Sequence, residues 1–182
     1  MVSSSNEYVQ IIKDVLGNTA EVVFTNGKLE SMLSVGQDAD ILASNRVSAE
    51  YIHAASRLKL IQTFSAGVED IDQKAVKERG NLILCNSHIN AEEVAEYAIT
   101  LLFTVAKNII PNDQELRKGN WVYAFGGPRP NIEIRHKTCL LIGLGNIGSE
   151  IARRLRAFDM TLFAATRSGV SNKSNLVDQL VR

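Results

Sequence analysis

Leu140-Leu141-Ile142-Gly143-Leu144-Gly145-Asn146-Ile147-Gly148 is an apolar run that feeds three glycines in the order G-x-G-x-x-G, and a helical pattern follows at once. A strand, a glycine turn and a helix in that order suit a dinucleotide phosphate site. Gly143 allows the tight turn, Gly145 lets a pyrophosphate approach the backbone, and Gly148 lets helix and strand pack closely. The helix N-terminus adds free N–H groups and the positive end of a dipole. Gly143, Gly145, Asn146, Ile147 and Gly148 are therefore the first candidate cofactor-binding residues. The same pattern without a ligand is simply a glycine-rich strand–helix turn.

Downstream, Met160 to Ala164 reads as a second strand. A dinucleotide site expects an acidic residue about 20 positions beyond the glycines, to bond the adenosine ribose. The chain instead runs Ala164-Ala165-Thr166-Arg167-Ser168-Gly169. A carboxylate repels a 2′-phosphate and an arginine attracts it, so Arg167 with the Thr166 and Ser168 hydroxyls favours NADP, with NAD possible. The alternative is a solvated arginine. Leu176 to Arg182 reads as the start of a helix. Residues 138–182 thus supply two parallel strands with long unpaired edges, and such a piece has to lean on the long helix before it, a second subunit or further chain.

Upstream, strands and helices alternate. Ser4-x-x-Glu7 resembles a capping box opening a helix to about Leu16. Ala20 to Phe24 reads as a strand, Leu29 to Val35 as a helix, Asp40 to Ala43 as a buried strand and Ser48 to Ala55 as a helix. Leu58 to Phe64 is a strand ending in the loop Ser65-Ala66-Gly67. Asp70, a candidate N-cap, opens a helix to Arg79, and Asn81 to Cys85 is the next strand. This alternation indicates βαβ units and a parallel sheet. Ser65, Ala66 and Gly67 are candidate substrate-binding residues, because free backbone N–H groups in such a loop hold carboxylates. An ordinary turn is an equal reading. A long helix starts at Asn90, read as an N-cap with Glu93 as its partner or, alternatively, as an amide facing substrate. The helix is apolar nearly all round, which implies burial on several sides. Asn112 to Arg117 forms another helical turn or two, and Gly119 to Pro130 is an aromatic, irregular arm.

Composition narrows the partners. Twenty basic and twenty acidic residues balance to zero in a chain of 182, which gives no electrostatic reason to expect nucleic acid or an anionic membrane. Cys85 and Cys139 match no metal or redox spacing and read as reduced, buried thiols of a cytoplasmic protein. His53, His88 and His136 are isolated surface or capping histidines, and Glu69, Asp70 and Asp72 are first-turn acids rather than a metal cluster. The N-terminus lacks the basic and apolar regions of a signal peptide. The apolar stretch from Ala98 to Ile110 is too short and too polar to span a bilayer.

From about Leu58 to Gly169 the chain resembles the D-isomer-specific 2-hydroxyacid dehydrogenases. The resemblance rests on Leu60-Ile61-Gln62-Thr63-Phe64-Ser65-Ala66-Gly67-Val68-Glu69-Asp70-Ile71-Asp72, then Asn90 to Ala98, then Arg117-Lys118-Gly119-Asn120-Trp121. It continues with Thr138 to Gly148 and Ala157-Phe158-Asp159-Met160. It implies an α/β architecture: a flavodoxin-like parallel-sheet substrate domain (1–89), a long helix and dimer arm (90–137), and the first βαβ unit of a Rossmann-type cofactor domain (138–182). It further implies an NAD(P)-dependent oxidoreductase that interconverts D-2-hydroxy acids and 2-keto acids, and a homodimer through the 90–130 region. Asn146 departs from the arginine that the family often has in the glycine loop, which removes a charge contact to the pyrophosphate. The family's usual opening strand is not evident before the first helix. Its catalytic arginine, carboxylate and histidine map to none of these residues, so the chain alone is expected to be inactive. The alternative is a non-catalytic nucleotide-binding or dimerisation module derived from that family.

Overall fold

The computed structural model describes residues 6–121 and 130–182. The chain forms two compact units, Met1–Ser87 and His88–Arg182. Ser4 of the N-terminal capping box, and Tyr123 to Pro128 of the aromatic arm, lie outside the described residues.

The first unit begins with α1 (Asn6–Leu16), which stops at Gly17. This glycine has φ +52°, and its N–H closes the last turn on the Lys13 carbonyl at 2.8 Å. There follow α2 (Leu29–Gly36), β1 (Ile41–Ala43), α3 (Ala49–Ala54), β2 (Leu60–Gln62), α4 (Gln73–Arg79) and β3 (Ile83–Cys85). The strands pair in parallel in the order β1-β2-β3. This is the parallel α/β arrangement that the alternation implies.

Period-two geometry gives the sheet two unlike faces. Leu42, Ile61 and Leu84 stand in register and pack into a core with Tyr51, Ile52 and Leu58. On the opposite face Ile41, Leu60 and Ile83 stand in register, and Ile41 and Ile83 are exposed. The strand at 40–43 is therefore covered on one face rather than buried: Leu42 packs into the core and Ile41 faces outward. Ala20 to Phe24 is not a strand. Val23 and Phe24 are exposed, and an apolar run this short holds no extended structure without a neighbour to pair with.

Helix ends in this unit are set by specific side chains. Ser48 caps α3 through the Tyr51 N–H, and Asp72 caps α4 through the Ala75 N–H at 2.9 Å. The expected cap at Asp70 is thus two residues early. Asp70 instead faces Arg46 at 3.4 Å. At the other end of α3, the Arg79 guanidinium donates to four carbonyls: Ile52 and Ala55 at 2.7 Å, Ser56 and Leu58 at 3.0 Å. The Ile52 carbonyl is one that the end of α3 leaves open, and the cation also meets the negative end of the dipole.

The second unit holds α5 (Ala91–Ala106), α6 (Ile109–Arg117), β4 (Thr138–Ile142), α7 (Asn146–Arg156), β5 (Thr161–Ala165), a 3-10 turn (Ser174–Leu176) and β6 (Gln179–Val181). β4, β5 and β6 form a parallel sheet in that order. One core joins Ala106, Ile134, Leu141, Leu155, Leu162 and Val177. Phe103 of α5 meets Phe158 edge-on at 4.9 Å. α5 buries Ala95 and Ala106, whereas Tyr97, Leu101 and Val105 form an exposed row at i, i+4 spacing. The helix is covered along one side, not on several. No single described helix is long and apolar enough to cross a membrane; α5 and α6 reach that length only together, across a 60° bend.

The tail corrects the sequence reading most. Leu176 to Arg182 does not begin a helix; it supplies the third strand. The free edge of β5 offers unpaired N–H and C=O groups, and Asp178 starts the pairing. Its N–H donates to the Leu162 carbonyl at 2.7 Å and its carboxylate accepts the Leu162 N–H at 2.7 Å. Arg156 from α7 holds the same carboxylate at 2.8 Å. The Leu162 amide, and then the Arg156 guanidinium, hold the Asp178 carboxyl below the usual carboxylate range. A depressed folded-state pKa stabilises the fold above the ordinary carboxylate pKa, and that stabilisation drains away as pH falls through the folded value. Asp178→Asn is therefore expected to melt below the native chain at neutral pH, and the gap should close below about pH 4. Equal gaps at pH 7 and pH 3 in thermal unfolding would contradict this.

Candidate functional site

The glycine turn lies between β4 and α7. Gly143 has φ +97°, where a side chain is strained, and its N–H reaches across to the Ala165 carbonyl at the end of β5, at 2.8 Å. That bond sets the turn beside Thr166, Arg167 and Ser168. Gly148 is one turn into α7, and a Cβ there would collide with the Gly143 carbonyl oxygen. A Cβ on Gly145 would meet nothing within 4 Å. The three glycines thus do three separate jobs: a left-handed turn, an open cradle and a close approach.

α7 starts at Asn146, inside the glycine motif rather than after it. Gly148 falls within the helix, where a larger residue would not fit. Gly145 is the N-cap, and no side chain caps the first turn. Ser149 bonds back to the Gly145 carbonyl through its N–H, at 3.0 Å, and through its hydroxyl. The amides of Asn146, Ile147 and Gly148 are left facing outward at the positive end of the helix, as an anion site requires. An open cradle at Gly145 with uncapped amides beside it fits a dinucleotide pyrophosphate.

At the end of β5, Arg167 is exposed and forms no ion pair with any described residue. The Ser168 hydroxyl donates to the Val170 carbonyl at 3.1 Å, and the Thr166 hydroxyl points to the same oxygen at 3.4 Å. Of the three side chains, Arg167 alone is uncommitted. Lys173, in the loop after β5 and outside every sequence motif, donates from Nζ to Asn146 Oδ1 at 3.0 Å. Lys173 and Asn146 line a cleft of about 320 Å³ with His88, Glu92, Glu150 and Arg153. No motif spacing connects Lys173 to Asn146, so only the fold shows the pair.

In the first unit, side chains fix the loop after β2. Thr63 Oγ donates to the Ser65 carbonyl at 2.8 Å, Asn86 Nδ2 to the Ala66 carbonyl at 2.7 Å and Ser65 Oγ to the Gly67 carbonyl at 2.8 Å. The carbonyls are thereby occupied, and the N–H groups of Ser65, Ala66 and Gly67 donate to no described residue. Glu69 folds over Gly67 instead of standing in a helical first turn. In the second unit Asn90 precedes α5, and its side chain makes no cap hydrogen bond. The capping role is therefore not filled, and the Asn90 amide is free for another partner.

Cys85 and Cys139 are free and half-buried rather than buried, one in each unit; burial pushes the Cys139 thiol up. His53 of α3 is exposed, 3.7 Å from Glu78. Among the described residues no three His, Cys, Asp or Glu side chains are grouped to hold a metal ion.

A parallel α/β sheet ending in this three-glycine turn defines the class of dinucleotide-binding proteins. The family profile "D-isomer specific 2-hydroxyacid dehydrogenase, catalytic domain" matches residues 1–178, and the chain belongs to this family of NAD(P)-dependent D-2-hydroxyacid dehydrogenases. It is 36% identical over 125 residues to D-3-phosphoglycerate dehydrogenase of Archaeoglobus fulgidus, covering 68% of this chain and 23% of that one. It is 33% identical over 156 residues to hydroxypyruvate reductase of Thermotoga maritima, covering 82% of this chain and 50% of that one. Among solved structures, an acyclic imino acid reductase in complex with NADPH and D-Arg aligns with a TM-score of 0.80 and 25% identity, covering 99% of this chain and 57% of that one. The chain thus spans half or less of the length of these two curated relatives.

Proposed function

We propose that these residues form the substrate domain and the start of the cofactor domain of an NADP-preferring reductase of small 2-keto acids. The open cradle at Gly145, beside the uncapped first turn of α7, carries this reading. Gly143, Gly145, Asn146, Ile147 and Gly148 hold the pyrophosphate, and Arg167 pairs with the adenosine 2′-phosphate. Thr166 and Ser168 shape the turn that presents Arg167, through their bonds to Val170. Ser65, Ala66 and Gly67 offer three backbone N–H groups to a substrate carboxylate, and Asn90 offers an amide to the substrate.

The bound dinucleotide supplies hydride chemistry, and the chain's own residues bind and orient. No catalytic acid or base is assigned among residues 1–182, so this chain is expected to bind nucleotide without turning it over. A homodimer through residues 90–130 belongs to the same reading; the exposed row Tyr97, Leu101 and Val105 supports it.

The test is equilibrium binding of NADPH and NADH to the 182-residue chain, with its mass measured by light scattering and its activity followed with glyoxylate or hydroxypyruvate. Tighter NADPH binding, a dimer mass and no turnover are expected. Tighter NADH binding overturns the cofactor preference, a monomer overturns the dimer, and turnover overturns the inactivity.

A further inference from the structure

We infer that Lys173 is a pyrophosphate-binding residue of the cofactor site, supplying from the loop after β5 the positive charge that the glycine turn lacks at Asn146. The inference rests on the dinucleotide reading above. Asn146 is the first residue of α7, beside the open cradle at Gly145. Its amide carries no charge, yet its Oδ1 accepts a hydrogen bond from Lys173 Nζ at 3.0 Å.

The kind of acceptor decides what the lysine can do. A carboxylate would orient the ammonium and neutralise it. An amide oxygen orients it and leaves the charge in place. An ammonium has three donors, and Asn146 uses one. Carboxylates are at hand in the same cleft, but Glu150 is taken by Arg153 and Arg154. Lys173 forms no ion pair with Glu92, Glu150 or any other described carboxylate. Its loop is held by the Lys173 N–H on the Ser171 hydroxyl at 3.1 Å and by the 3-10 turn that follows. The ammonium is therefore positioned by Asn146 and uncompensated, in an open cleft at the positive end of α7. A phosphate there gains a charge-assisted bond from the lysine and backbone bonds from the helix at once.

Place separates Lys173 from Arg167. Arg167 lies at the end of β5, where the adenosine ribose of a dinucleotide lies. The Lys173 ammonium lies against Asn146 on the first turn of α7, where a dinucleotide's pyrophosphate would lie. The pyrophosphate is common to NADH and NADPH, whereas the 2′-phosphate belongs to NADPH alone. Lys173→Met is thus expected to weaken binding of both nucleotides by the same factor, roughly ten- to a hundredfold for a lost charged hydrogen bond. Asn146→Ala, which frees the lysine without removing it, should give a smaller loss with the same lack of discrimination. Lys173→Arg should keep most of the affinity.

The experiment is titration calorimetry of NADH and NADPH with the native chain and these three variants, with thermal unfolding of each as a check on the fold. Equal losses in Lys173→Met, recovered in Lys173→Arg, support the assignment. Unchanged binding of both nucleotides overturns it, and so does a loss confined to NADPH, which would move the lysine to the 2′-phosphate. A native chain that binds neither nucleotide overturns the dinucleotide reading itself, and the assignment with it.

Discussion

Gly148→Ala is expected to destabilise the second unit by about 2–3 kcal/mol, the typical cost of overpacking a site that cannot relax. The added methyl would collide with the Gly143 carbonyl oxygen and lie 3.2 Å from its carbonyl carbon. Both are backbone atoms, so no side chain can rotate away. The backbone is itself pinned: the Gly143 N–H is bonded to Ala165 at 2.8 Å, and Ser149 is bonded to the Gly145 carbonyl at 3.0 Å. The remaining relief is for α7 to move off β4, which opens the packing of Leu141 and Leu155. Alanine is the better helix former by about 1 kcal/mol, so the estimate already includes an opposing gain. In a unit of this size the melting temperature should fall by roughly 10 °C. An unchanged melting temperature would show that helix and strand do not approach as closely as the turn requires.

The sequence was most legible where a residue type answers one geometric demand. Gly143 and Gly148 each meet a distinct requirement of the turn, and the apolar run before them is a strand, Thr138–Ile142. Legibility failed where a neighbour in space decided the outcome. Leu176 to Arg182 carries no local signal for a strand; the open edge of β5 and the double bond between Asp178 and Leu162 make it one. Val22-Val23-Phe24 carries the opposite error, a good strand composition with nothing to pair with.

The cap of α4 shows a subtler limit. Asp70 and Asp72 are equal candidates by type, and only the course of the chain after Gly67 places Asp72 within reach of the Ala75 N–H. The Lys173–Asn146 bond has no sequence signature at all, because it joins a loop to the start of a helix 27 residues away. For such a site the sequence announces the backbone devices, and the fold alone reveals which side chains arrive to serve them.

Gly145→Ala is expected to leave the fold nearly intact while lowering nucleotide affinity by about a hundredfold, the size of a lost charge-assisted contact at its upper end. The two halves of this result have separate causes. Gly145 has φ −78°, which any residue adopts, and a Cβ there meets no atom within 4 Å. The cost in stability is that of a poorer N-cap, about 0.5–1 kcal/mol. On the proposed reading, the empty space around that Cβ is where a pyrophosphate would reach the first amides of α7. A methyl group holds the phosphate away from those donors, and a charge-assisted bond weakens steeply once it is stretched or bent. The measurement is the dissociation constant of NADPH beside the melting temperature of the same protein. Native affinity in Gly145→Ala would mean that no phosphate rests against this glycine, and the dinucleotide reading of the turn would fall. Loss of fold would mean that the space is not open. Set beside Gly148→Ala, in which a methyl on the same turn meets protein rather than emptiness, the pair separates a glycine kept for packing from one kept for a ligand. A merely structural glycine turn has no reason to leave the second of them open.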